Sequence, residues 1–185
     1  CYYSINNDSN NAFRYIDKTF FYGYRDIEWM KNDPDFNNIK SDKRFILLLE
    51  NFSSILLGDD LCKKGDEFFK SNDYKNALEM YKYSAKEYEK VFIGDSTLIA
   101  SIYDKIGTVY NITGDYNNAI LYLDKSINIF SKFFGAMHKL TENVRTKCNN
   151  TRYHIGDRGD IKLLLNIQMG HSFYINSVSF SPDGK

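Results

Sequence analysis

The sequence Gly-Asp-Tyr-Asn-Asn-Ala-Ile at residues 114–120 decides the fold, because variants of it occur at two other places in the chain. Residues 72–78 are a close copy, Asn-Asp-Tyr-Lys-Asn-Ala-Leu, and residues 7–13 are a more divergent one, Asn-Asp-Ser-Asn-Asn-Ala-Phe. Each copy predicts a turn that ends one helix and begins the next. The alanine in each copy suits a place where two helix backbones approach closely. These recurring turns predict a repeat architecture.

The residues on either side of the two closest copies also repeat. Gly107 lies 42 residues after Gly65, and Ala119 lies 42 residues after Ala77. A period of this length also fits HEAT or armadillo units and propeller blades, so the period alone does not choose among these folds. The order of residue types within each copy distinguishes them. Both copies read as a large apolar residue, glycine, an aromatic residue, the turn, alanine, a large apolar residue and a small residue.

This internal order resembles the tetratricopeptide repeat, a helix-turn-helix unit whose ordinary period is about 34 residues. Matching tails at residues 88–94 and 130–135 lengthen the second helix of each copy, as in long-period units of the kinesin light chain kind. The resemblance covers roughly residues 59–155 and implies an all-α solenoid that binds a peptide or protein. Six small residues are expected at close helix contacts, namely Gly65, Ala77, Ser84, Gly107, Ala119 and Ser126.

The apolar periodicity predicts the helices of this array. Two helix pairs are expected, at 60–71 with 74–91 and at 98–112 with 116–133. A more polar helix at 140–155 lacks the glycine and alanine of the repeats. An array needs an end helix whose outer face tolerates water, so this last helix is predicted to be a cap.

Residues 1–58 are predicted to contain the end of an upstream helical repeat followed by short helices. Asp33 and Asp42 are expected to cap two of these helices, and Pro34 suits a first helical turn. From 45 to 57 the apolar residues follow one helix face. Gly58 is predicted to end that helix.

Residues 156–185 differ in kind from the helical array. Residues 161–181 are predicted to be strand-like. Gly-His-Ser at 170–172, followed by Ile-Asn-Ser-Val-Ser-Phe-Ser-Pro-Asp-Gly at 175–184, resembles the opening of a WD-repeat propeller blade. The resemblance implies a linker and a short β-strand tail, the first strands of an incomplete propeller. Since the chain also begins at Cys1 rather than methionine, it is interpreted as a segment of a longer protein.

The composition predicts several absences. Lysine plus arginine and aspartate plus glutamate number 24 each, so no basic field is available to recruit nucleic acid or an anionic membrane. The three cysteines are widely spaced, which predicts reduced thiols rather than disulfides or a zinc site. No apolar run approaches the length of a membrane span, and no histidine has a partner at metal-ligand spacing. We therefore expect a cytoplasmic protein with no cofactor and no reaction of its own.

The tetratricopeptide resemblance also implies a binding groove, because the first helix of each unit lines the concave face in such arrays. Cys62 and Asp66 stand where arrays that clamp a C-terminal carboxylate have lysine and asparagine, which argues against that ligand. An extended segment of mixed charge with one apolar anchor is expected instead, with an affinity near ~1 μM, or about −8 kcal/mol. The alternative is that these side chains form only a solvated face. The predicted groove residues are Asp66, Phe69, Lys70, Asp104, Lys105, Thr108, Asn111, Lys147, Asn150 and Tyr153.

Two functions therefore follow from the sequence. The first is a non-catalytic scaffold for protein–protein interaction, with a helical array that binds one partner. The second is a regulatory or sensor region of a larger enzyme whose catalytic domain lies outside these residues. A nucleotide-binding or protease domain in the flanking sequence would favour the second function, and a continuation into further propeller blades would favour the first.

Overall fold

The computed structural model describes residues 8–92 and 94–156, and this part of the chain is all-α. No strand occurs within the described residues. The predicted strands at 161–181 and the WD-repeat resemblance lie outside the described residues. The helices are α1 Ser9–Phe21, α2 Ile27–Asn32, a 3₁₀ helix Pro34–Ile39, α3 Lys43–Glu50, α4 Phe52–Lys70, α5 Tyr74–Glu89, α6 Thr97–Ile112, α7 Tyr116–Phe134 and α8 Lys139–Gly156.

The three copies of the turn have one geometry, each at the start of a helix. The aspartate side chain of each copy accepts a hydrogen bond from the backbone N–H of the asparagine three residues later, at 3.1–3.2 Å. The side-chain amide of that asparagine donates to the other carboxylate oxygen, at 2.6–2.8 Å. Each aspartate thus satisfies a backbone N–H that the first helical turn leaves unpaired. The three pairs are Asp8 with Asn11, Asp73 with Asn76, and Asp115 with Asn118.

The small residues of the repeat lie where paired helices touch, as predicted. Ala77, Ala119 and both repeat serines have no exposed surface. A Cβ atom added to Gly65 would lie 2.5 Å from the Tyr81 ring, and one added to Gly107 would lie 2.7 Å from Leu123. Only small side chains fit at such contacts, which is why α4 packs closely on α5 and α6 packs closely on α7.

The predicted helix over 45–57, with its end at Gly58, is wrong. The helix is interrupted at Asn51, whose backbone leaves the helical conformation. The side-chain amide of Asn51 donates a hydrogen bond to the Leu47 carbonyl. Helix α4 then runs from Phe52 through Gly58 to Lys70. The boundary drawn between residues 58 and 59 therefore falls inside one helix. The remaining array helices agree with the predicted ends to within two residues.

Gly58 is a packing position of the repeat. A Cβ atom there would lie 2.5 Å from the Tyr88 ring, so the close crossing of α4 and α5 requires glycine. The Ser84 hydroxyl donates to the Gly58 carbonyl at 2.8 Å. The Ser126 hydroxyl donates to the Ala100 carbonyl at the same distance, 42 residues further on. The repeat thus begins upstream of residue 59.

Helix α1 packs across the ends of α6 and α7 in the second repeat. The carboxylate of Asp17 is buried there and accepts hydrogen bonds from the Ser96 hydroxyl at 2.6 Å and the Thr97 backbone N–H at 2.9 Å. The ring of Phe21 lies 5.8 Å from that of Phe130 and 5.7 Å from that of Phe134, between centroids. A carboxylate at the first N–H groups of a helix is favoured by their partial positive charge. Asp17 therefore caps α6 from another helix.

The segment between α1 and α4 is a series of short helices, as predicted. Asp33 and Asp42 cap the 3₁₀ helix and α3, and Pro34 occupies the first turn. This segment is joined to α1 and to the array by arginines. Arg44 lies over the Phe13 ring at 4.1 Å, and Arg25 pairs with the α4 carboxylate Asp59 at 2.8 Å.

Candidate functional site

The first helices of the repeats, α4, α6 and α8, line a cleft of about 610 Å³. Residues of α1, α5 and α7 complete its walls. Six of the ten predicted groove side chains line this cleft: Asp66, Phe69, Asp104, Lys105, Thr108 and Lys147. The side chains that line it without having been predicted are Phe21, Tyr81, Ser101, Phe130, Leu140, Asn143, Val144 and Thr146.

The charged end of the cleft contains two ion pairs between neighbouring first helices. The ammonium group of Lys105 on α6 donates to the Asp66 carboxylate on α4, at 2.5 Å. The ammonium group of Lys147 on α8 donates to both carboxylate oxygens of Asp104 on α6, each at 2.8 Å. Lys147 lies 42 residues after Lys105, and each of these two lysines reaches back to the preceding first helix. Acidic and basic groups therefore alternate across the cleft.

These ion pairs remain in contact with water. The side chains of Asp66 and Lys105 are 36% and 34% exposed, and those of Asp104 and Lys147 are 22% and 44% exposed. Partly exposed pairs of this kind contribute about 0–1 kcal/mol each to stability. The pairs are therefore weak enough for a ligand to exchange its own charged groups with them.

Tyr81 links the charged end to the interior of the array. Its hydroxyl donates to Asp66 at 2.7 Å, and the Lys105 ammonium lies 5.5 Å from its ring centroid. Burial, and then the Asp66 carboxylate, raises the pKa of Tyr81. The hydroxyl therefore stays protonated and keeps Asp66 oriented toward the cleft.

The other end of the cleft is apolar. Phe21, Phe130, Leu140 and Val144 line it. Phe130 and Val144 belong to the buried core, and the other two side chains are half-buried. On α8, Leu140, Val144 and Lys147 are spaced as neighbours on one helix face. At 1.5 Å per residue, about 10 Å of helix separates the apolar end at Leu140 from the charged end at Lys147.

Comparisons with known proteins assign no family to this chain. It matches no protein-family model, no curated protein and no solved structure. Among residues 8–92 and 94–156, no helix has the length and apolar character that a bilayer crossing requires.

Four predicted groove residues lie outside the lining of the cleft. The side-chain oxygen of Asn111 accepts a hydrogen bond from the Thr151 hydroxyl at 3.1 Å, so Asn111 joins α6 to α8. Lys70 and Asn150 are exposed, and Tyr153 is 76% exposed. Asn111 follows the α6 lining residues, and Asn150 and Tyr153 follow Lys147 on α8, so on these two helices the cleft lies on the N-terminal side of the residues that the resemblance implied.

Two of the missed lining residues had a signal in the sequence. Ser101 and Asn143 are 42 residues apart, and each lies one helical turn before a lysine of the ion-pair series. They share the helix face of that lysine because residues four apart are neighbours. Phe21 had no such signal, since its place in the cleft depends on how α1 packs against the second repeat.

Cys62 lies near the cleft, and two histidines lie among the described residues. Burial raises the pKa of Cys62, one turn before Asp66, to about 11, so the thiol is protonated and unreactive at neutral pH. Of the described histidines, His138 stacks on Phe134 at 4.8 Å and His154 stacks on Tyr116 at 5.6 Å, between centroids. The described residues contain no group of three or more His, Cys, Asp or Glu side chains that could hold a metal ion.

Proposed function

We propose that this chain is a non-catalytic interaction scaffold that binds a peptide or protein segment in the cleft. The observation that carries the proposal is the convergence of side chains from three neighbouring first helices on one cleft, including six that the tetratricopeptide resemblance implied. An open cleft with an apolar end and a polar end suits an extended segment better than a small rigid molecule. The two ion pairs supply polar contacts at fixed intervals along it.

We further propose that the helical array is of the long-period tetratricopeptide type. The shared helix caps, the fully buried alanines and the serine bonds at a spacing of 42 residues support this assignment. A cytoplasmic location is proposed with it. Cys62 and Cys148 are free thiols, which suits a reducing compartment.

The charge arrangement indicates the ligand chemistry. Because each cleft carboxylate is matched by a lysine, the cleft does not favour a strongly acidic or strongly basic segment. A segment that carries both positive and negative side chains can pair with Asp66 and Lys105 together. The short length of the cleft is consistent with an affinity near ~1 μM, or about −8 kcal/mol.

A random peptide library screened against the 185-residue chain tests the proposal. Selected peptides should bind about tenfold more weakly to Lys105→Ala, because this change removes one partner of a cleft ion pair, and tenfold corresponds to about 1.4 kcal/mol. Lys70→Ala is the matched control, since it removes a lysine from a first helix outside the cleft. Isothermal titration calorimetry measures both affinities. A library that yields no binders, or binders equally affected by both variants, would refute the proposal.

A further inference from the structure

Helix α1 supplies one wall of the apolar end of the cleft through Phe21. Polar contacts to α6 and α7 hold this helix in place. Asp17, one turn before Phe21, receives hydrogen bonds from Ser96 and Thr97, and the Arg14 guanidinium donates to the Lys132 carbonyl at the end of α7. Phe21 is thus held against Phe130 by contacts that lie outside the cleft.

The two ends of the cleft differ in what they can bind. Near Phe21 the lining consists of Phe130, Leu140 and Val144, which can bury an apolar side chain. Near Lys147 the lining carries the ion pairs. An extended peptide advances about 3.3 Å per residue, so the ~10 Å between the two ends corresponds to about three peptide residues.

We infer that Phe21 makes α1 part of the binding site, so that the cleft selects segments with a bulky apolar residue about three residues from charged residues of both signs. The apolar residue inserts between Phe21 and Leu140, and the charged residues exchange with the pairs of Asp66 with Lys105 and of Asp104 with Lys147. The occupant is an extended protein segment, because the ends match it in chemistry and in spacing. This inference rests on the proposed function. It adds the spacing between the recognised residues of the ligand and the position of the ligand's apolar residue in the cleft.

Phe21 is a specificity-determining residue in this account. An alanine in the ligand should leave the apolar end unfilled, whereas a leucine should bury several methyl and methylene groups there. The preference for leucine over alanine at the anchor therefore reports on Phe21 separately from overall affinity. A merely structural role for Phe21 would lower affinity for both ligands alike.

The test uses short synthetic peptides with one leucine and, about three residues later, a lysine and an aspartate on a Gly/Ser background. The same peptides with alanine in place of leucine form the comparison. Fluorescence anisotropy with the 185-residue chain should show leucine peptides binding about tenfold more tightly. In Phe21→Ala this ratio should fall to about one, while the affinity for alanine peptides changes less than about twofold.

Tyr153→Ala is the control, because Tyr153 is an aromatic residue that is 76% exposed and does not line the cleft. It should retain the preference for leucine. Leu140→Ser changes an apolar lining residue on a different helix and should also abolish the preference, which keeps the test valid if Phe21→Ala weakens the fold. Chemical denaturation of each variant verifies that it is folded.

Two outcomes would overturn the inference alone. The preference for leucine peptides could persist in Phe21→Ala, or leucine peptides could bind Phe21→Ala more tightly than the wild type. The second result would mean that Phe21 itself occupies the anchor position. If neither leucine nor alanine peptides bind the wild-type chain while the random library yields binders, this inference fails and the proposed function stands; if the library also yields none, both fail.

Discussion

Helix α1 and the second helix of each repeat, α5 and α7, begin with the same turn. The contacts that hold α1 in place nevertheless differ from those that hold the array together. Asp8, Asp73 and Asp115 cap their helices in one way, and each cap is followed by a fully buried alanine. In the array, contacts join helices that are adjacent in sequence, such as the Ser84 bond to Gly58 across 26 residues. Helix α1 is joined instead to residues about 80 positions away.

This difference shows that one local motif can serve two kinds of packing. The array repeats its contacts every 42 residues, so several similar interfaces share the stabilisation. The N-terminal contact occurs once and depends on the buried carboxylate of Asp17. A change in the array should therefore affect helix pairing generally, whereas a change at Asp17 should affect α1 and the cleft wall that it provides.

The largest effect is expected from Ala119→Leu in the array. Ala119 is fully buried, and its carbonyl oxygen would lie 3.1 Å from a Cβ atom on Gly107. The larger side chain should overpack α6 against α7 and lower the free energy of unfolding by about 1–3 kcal/mol. Asn117→Leu, at an exposed position on the same helix, is the control. An unchanged denaturation midpoint for Ala119→Leu would show that this contact is looser than the structure indicates.

A smaller and more local effect is expected from Asp17→Ala. The change leaves the Thr97 N–H without its carboxylate partner, but it also removes a buried charge, so the net loss of unfolding free energy should be about 1–2 kcal/mol. Amide hydrogen exchange should accelerate in α1 and remain slow in α5. Glu28→Ala removes an exposed acidic group and should change neither region. Equal acceleration in α1 and α5 would mean that the two regions unfold as one unit.

The pH dependence of stability should also distinguish the two regions. Burial raises the pKa of Asp17, although the hydrogen bonds from Ser96 and Thr97 oppose the shift. The folded state then binds the proton more tightly than the unfolded state. This contribution to stability is complete below the unfolded pKa of about 3.9 and is lost as the pH rises through the folded pKa.

Urea unfolding from pH 3 upward measures this contribution in the wild type and in Asp17→Asn. The wild type should lose stability relative to the variant as the pH rises through the folded pKa of Asp17. If the free energy of unfolding of the wild type instead increases relative to that of Asp17→Asn over this pH range, the hydrogen bonds dominate and the pKa of Asp17 is lowered.

The smallest effect on stability is expected in the cleft. Lys105→Met keeps the alkyl stem and removes a partly exposed ion pair, so the free energy of unfolding should change by less than about 1 kcal/mol. The same variant should nevertheless weaken peptide binding, because the lysine lines the cleft. A change in stability larger than that of Ala119→Leu would indicate a structural rather than a binding role for this residue.

The sequence pattern predicted the array better than the cleft. The helix ends of α5 to α8 and the six small contact residues follow from periodicity and capping, which act over a few residues. The interpretation of Gly58 failed because glycine both ends helices and permits close crossings. Its spacing of 42 residues from Ala100 was the signal for the second role. Six of the ten predicted groove residues line the cleft, from the C-terminal part of α4 and the middle of α6 and α8.

The sequence by itself determined the caps, the helix pairs and the lysine series, because each depends on residues close in sequence or related by the 42-residue period. The tertiary structure alone decided where α1 lies and which side chains close the apolar end of the cleft. Asp17 and Thr97 are ordinary polar residues in their local contexts, and only their contact across 80 residues makes them partners. Such contacts carry no periodic signal, since they depend on how separate helices pack around a shared core.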